Sequence, residues 1–267
     1  MTSSRLPAVQ VEFNRTAHAL ELLYLLVVKE LKVRYKSSVL GYVWALANPF
    51  AFAFVYWFAF KYVMRVQVEN YSLYLITGMF PWVWLSSSVV HASHSFEGNA
   101  FLVKKVRFPQ AILPLSNVAH ELVHFLFALP VILAFLWYAG EIGPKASWMW
   151  QIPLMLATQM AFAYPLAYTF AITNVYVRDI GHLAGIGFTL LFFVTPMVYT
   201  IDMVPISWRP WFAFSPLHLL IDGWRSVFLH GRLDLLDVAT LLGWSSAFAA
   251  AAALIYRKLG PRLGELL

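Results

Sequence analysis

The chain has 267 residues, 61% of them hydrophobic and only 12% charged, whereas a soluble domain carries about 25% charged residues. With 22 Phe, 13 Tyr and 11 Trp, this composition indicates a membrane protein and sets aside a soluble enzyme or a nucleic-acid binder. The net charge of +6 is therefore read by its placement around membrane spans, and the lack of cysteine excludes disulfide and thiolate chemistry.

Met1 to Asn14 is polar and mixed, without the apolar stretch of a cleavable signal. Residues 17–36 are amphipathic. His18, Glu21, Leu25, Lys29, Lys32 and Lys36 share one helical stripe, and Leu20, Leu23, Val27, Leu31 and Tyr35 share the other. The longest apolar run, Leu22–Val28, is too short to cross a bilayer. It predicts an interface helix lying on membrane lipid, its basic face toward head groups or a partner.

Six stretches nearly free of Asp, Glu, Lys and Arg follow, and predict spans at about 40–62, 72–96, 111–139, 148–176, 181–200 and 237–256. Only Glu121 interrupts the third between Gln110 and Tyr138. Between the last two, residues 202–233 hold Pro205, Pro210, Pro216 and the apolar run Trp211–Ile221. That run is too short to cross, which predicts a re-entrant or interfacial hairpin. The fold class expected is an all-α membrane protein forming one transmembrane domain over residues 1–267. There is no internal repeat, and no Walker loop that would bind ATP.

With the N-terminus inside, 13 Lys and Arg residues fall on the inner side and six on the outer. The positive-inside rule then predicts both termini in the cytoplasm of a multi-pass inner-membrane protein, with the hairpin outside.

His120-Glu121-Leu122-Val123-His124 matches the H-E-x-x-H pattern of zinc proteases, and Asp222 before Gly223 offers a third ligand. An intramembrane metalloprotease is therefore one alternative. Topology opposes it. His120 lies about 12 Å into the third span from the inner side, and Asp222 belongs to the outer hairpin. A gap on the order of 10 Å should remain, against metal–ligand bonds of about 2 Å. No metal-binding role is expected, and Glu121 and His124 are read as polar groups facing a helix contact or a cavity.

Several stretches together resemble the membrane subunits of polysaccharide-exporting ABC transporters. They are RYKSSVLGYVWALANP from Arg34, GMFPW from Gly78, NAFLVKKVRFP from Asn99, VRDI from Val177, TPMVYTIDMVP from Thr195 and SPLHLLIDGWR from Ser215. Ser215 replaces a usual Asn. The wording is most similar to O-antigen exporters, with capsule and teichoic-acid exporters close behind.

The resemblance implies a homodimeric permease, each copy bound to a separate ATPase that carries ATP and Mg, moving a lipid-linked glycan outward. This chain would hold no cofactor and catalyse no reaction. ATPase coupling is expected from Lys29, Arg34, Lys104, Lys105, Arg107, Arg178 and Asp179, and the outer hairpin would use Asp222 and Arg225. Phe54, Tyr56, Trp57, Trp82, Trp84 and Tyr199 are the rings expected along the substrate pathway. Such rings can stack on sugar faces with little linkage preference, although aromatic belts also mark membrane interfaces. An ABC exporter of a small molecule or lipid is the second alternative.

Overall fold

A computed structural model describes residues 15–35, 43–63, 70–106, 108–138 and 145–267, and no strand occurs among them. The helices are α1 (Arg15–Tyr35), α2 (Val43–Phe58), α3 (Tyr71–Ser93), α4 (Ser95–Gly98), α5 (Ala100–Lys105) and α6 (Ile112–Tyr138). They continue with α7 (Trp148–Tyr176), α8 (Asp179–Val194), α9 (Arg209–Phe214), α10 (Pro216–Arg225), α11 (Leu235–Leu259) and α12 (Leu263–Leu266). Among the described residues, three segments are long and apolar enough to cross a membrane: Tyr71–Ser93, Ile112–Trp137 and Leu235–Arg262.

Of these, α3 is the central pillar. Its most apolar window is 72% buried within the protein, against 22% for that of α11. It packs on α2, α6, α7, α8 and α10. Pro81 interrupts its backbone ladder, since proline lacks the N–H that would bond one turn back. Nearby, Gln159 of α7 donates to the Pro81 carbonyl at 2.8 Å and accepts the Trp224 indole N–H at 2.6 Å. One amide thus ties α3, α7 and α10 together.

The larger apolar core joins α3, α6, α7, α8, α10 and α11. A smaller core at the other end joins Leu26 of α1, Phe96, Val103, Leu113, Ile172, Ala252 and Leu263. Packing decides which side of α1 is buried. Ala19, Leu22, Leu23 and Leu26 face this core, whereas Leu20 is 66% exposed. The reason is that α1 docks on α6, so protein packing selects its buried stripe and leaves the Leu20 side outward.

The helix of the fifth predicted span also ends early, at Val194 rather than near residue 200. Pro196 cannot donate in the next turn, and residues 195–200 run irregularly. Beyond α10 a π-helical turn, Ser226–His230, stops at Gly231, whose φ of 63° suits glycine.

Candidate functional site

The irregular Thr195–Tyr199 segment exposes backbone carbonyls that need donors if they lie at membrane depth. The tyrosines of α3 and the arginine of α10 supply them. Tyr71 donates to the Val198 carbonyl at 2.7 Å and Tyr74 to that of Tyr199 at 2.8 Å. Arg225 donates to Pro196 at 2.7 Å and to Met197 at 2.9 Å, and also reaches the Tyr74 hydroxyl at 2.8 Å. Arg225 is only 3% exposed. Gly78 makes room for it, because a Cβ there would stand 2.7 Å from Nη2. Three motifs distant in sequence, GMFPW, TPMVYT and IDGWR, thus converge on one guanidinium. Asp222, one turn earlier on α10, is exposed.

Beside this anchor a groove runs between α3 and α8. Its first part, a cavity of 310 Å³, is lined by Trp82, Ser86, His91, Phe188, Thr189 and Phe192 among others. A second part of 460 Å³ continues past Val90, Gly185 and Thr189 to His94 and His182. Trp82 meets the rings of Phe188 and Phe192 edge-on, with centroids 6.0 and 5.8 Å away. The groove therefore combines aromatic faces with the hydroxyls of Ser86, Ser87 and Thr189.

The predicted rings separate accordingly. Trp82 belongs to the groove, but Trp84 does not. Two residues further along the helix, Trp84 points into the α3–α6 contact, where it is 1% exposed, stacks on Phe125 and donates to the Val118 carbonyl. No face of the Trp84 ring reaches this cavity. Tyr199 sits at the end of the irregular segment with its hydroxyl on the Val194 carbonyl. Phe54 is exposed on α2. The side chains of Tyr56, Trp57 and Arg34 lie outside the described residues, as does Arg107.

At the α1, α4 and α5 end, Lys29 donates to Asn99 at 2.8 Å, linking α1 to the α4–α5 turn. Arg178, before α8, approaches Glu97 at 3.8 Å, and Glu97 also meets His94 at 3.6 Å. Lys104, Lys105 and Asp179 are exposed at the same end. Lys29, Arg178 and the α4–α5 turn thus share one polar face built from three separate parts of the chain.

Glu121 lies deep inside, at 4% side-chain exposure, ringed by three histidines. His91 Nδ1 is 2.9 Å from Oε1, His120 Nδ1 3.4 Å from Oε1 and His124 Nδ1 3.5 Å from Oε2. His91 escaped the sequence reading because it comes from α3, 30 residues away. Asp222 does not join this group. Its α10 neighbour Arg225 contacts Tyr74, and Tyr74 and His91 are about 25 Å apart along α3 at 1.5 Å per residue. The third ligand of the protease pattern is thus at the opposite end of the pillar.

Comparison with known proteins agrees with this architecture. Residues 21–229 match the ABC-2 type transporter family. An O-antigen export system permease protein RfbA of Klebsiella pneumoniae is 40% identical over 97% of this chain and 100% of its own length. The protein of the same name from Myxococcus xanthus is 31% identical over 85% of this chain and 90% of itself. A polysialic acid transport protein KpsM of Escherichia coli is 21% identical over 78% and 81%. A helical membrane domain with these matches across most of its length belongs to the ABC-2 type transporter family.

Proposed function

We propose that this chain is the permease subunit of an ATP-driven exporter that moves a lipid-linked polysaccharide of the O-antigen type across the inner membrane. The observation that carries this reading is the 40% identity, spanning nearly all of both chains, to a permease named for O-antigen export. ATP and Mg belong to a partner ATPase in this scheme.

The groove gives the reading a physical basis. A glycan presents C–H faces and hydroxyls, and the cavity offers Trp82, Phe188 and Phe192 for the former and Ser86, Ser87 and Thr189 for the latter. Rings of this kind hold successive units without reading each one. We assign membrane crossings to α2, α3, α6, α7, α8 and α11, with α1 at the cytoplasmic interface and α9–α10 as the outer hairpin. The exposed apolar sides of α2 and α8, including Phe54, Phe58 and Leu183, face lipid or a second copy. Lys29, Lys104, Lys105, Arg178 and Asp179 form the ATPase side.

Deletion of the gene tests the proposal. Lipid-linked glycan should accumulate on the inner leaflet, and surface glycan should return with a plasmid copy. Unchanged surface glycan in a strain lacking any paralogue would refute it, whereas loss of drug or small-lipid efflux alone would support the other type of ABC exporter.

A further inference from the structure

We propose that His120, Glu121 and His124 form a binding site for one first-row divalent transition metal, with zinc the best fit, and that His91 positions the carboxylate. This goes beyond the transport reading and does not depend on the identity of the glycan. It also differs from the protease pattern, because Asp222 has no part in it.

The donor chemistry selects the metal class. Two imidazoles and a carboxylate suit zinc and its neighbours, while calcium and magnesium prefer oxygen alone. One donor atom from each of the three residues lies within 4.8 Å of the others. A tetrahedral zinc with bonds of about 2.0–2.1 Å separates its ligand atoms by about 3.3–3.4 Å. The His120–Glu121 and His124–Glu121 pairs stand at 3.4 and 3.5 Å. The two contacts fall on different carboxylate oxygens, so an ion would draw both rings toward one of them.

Burial adds a reason. The Glu121 and His120 side chains are 4% and 5% exposed and that of His124 11%. A carboxylate at such depth must be paired or coordinated. His91 contacts Oε1 at 2.9 Å, and a hydrogen bond from its Nδ1–H would orient the carboxylate as such partners do in metal sites. The same ring is 40% exposed and lines the groove, which gives an ion a route in. A metal here would fasten to α6 the part of α3 that borders the groove.

The test uses the full-length chain, purified in lipid nanodiscs with a histidine-free affinity tag, stripped with chelator and then loaded with zinc chloride. After desalting, about one zinc per chain should remain, and cobalt in its place should give the visible bands of a four-coordinate site. X-ray absorption of the zinc-loaded wild type should show imidazole nitrogen and carboxylate oxygen at about 2.0–2.1 Å, a readout that needs no variant to fold. His124→Ala should lose the retained zinc, and His91→Gln should weaken it about 10–100-fold. Retention below about a tenth of an equivalent by wild type overturns the proposal. So does a metal shell without imidazole. Either result leaves Glu121 held by its histidine contacts alone, without touching the transport reading.

Discussion

The Arg225 guanidinium lies 3.7 Å over the Tyr74 ring, across 151 residues of sequence. This contact holds the α9–α10 hairpin against the central helix. It also explains why a fully charged group is tolerated at such depth. Its donors meet backbone carbonyls that the irregular segment after α8 could not satisfy alone. Breaking a buried charge network from one side is far costlier than its net contribution, because the partners are stranded.

Arg225→Ala should therefore destabilise the chain by about 3–5 kcal/mol. Arg225→Lys should rescue little, since an ammonium cannot span the same carbonyls in a planar fork. Gly78→Ala should also destabilise, because its new methyl would displace Nη2. Thermal unfolding in nanodiscs would measure all three, and a melting point unchanged in Arg225→Ala would contradict the assignment.

Two neighbouring tryptophans offer a contrast. Trp84→Ala opens a void in the α3–α6 contact and should cost about 3–5 kcal/mol, lowering the amount of protein in the membrane. Gly185→Trp instead adds a large ring where a Cβ meets nothing within 4 Å, on the wall of both cavities. It should leave protein levels near wild type while surface glycan falls sharply. Full export by Gly185→Trp would remove the groove from the pathway.

The polar end should affect coupling more than stability. The Arg178–Glu97 pair is exposed and long, so its loss should cost no more than about 1 kcal/mol. Arg178→Glu should nevertheless reduce co-purification of the ATPase and the ATP hydrolysis of the complex. Wild-type values in both assays would show that this end does not dock the partner.

The absence of native cysteine makes sidedness directly measurable. Lys104→Cys should react with an impermeant maleimide only after the inner membrane is opened. Ser207→Cys, before α9, should react from the outside without that step. Labelling of both from one side would overturn the assigned threading.

Much of the architecture was legible in the sequence because burial in lipid demands long charge-free helices, and charges mark where these end. The membrane class, the positions of α3, α6, α7 and α11, and the separate segment around α9 and α10 all follow from those gaps. The resemblance motifs also contained Gly78, Pro196 and Arg225, of which Arg225 was expected in the outer hairpin.

What the sequence could not specify was the rotation of each helix about its own axis. A helix that is apolar nearly all round carries no periodic signal to distinguish inward from outward faces. Trp82 and Trp84 therefore read alike, yet one opens on the groove and the other is sealed against α6. In the amphipathic α1 it is docking on α6 that buries Leu26 and leaves Leu20 outward. The motif at His120 had its two histidines in sequence. Only the packing of α3 on α6 brought His91 to the carboxylate, and only the length of α3 separated Asp222 from it. Tertiary contacts decided these pairings because they join side chains whose closeness depends on how helices cross, which local composition does not encode.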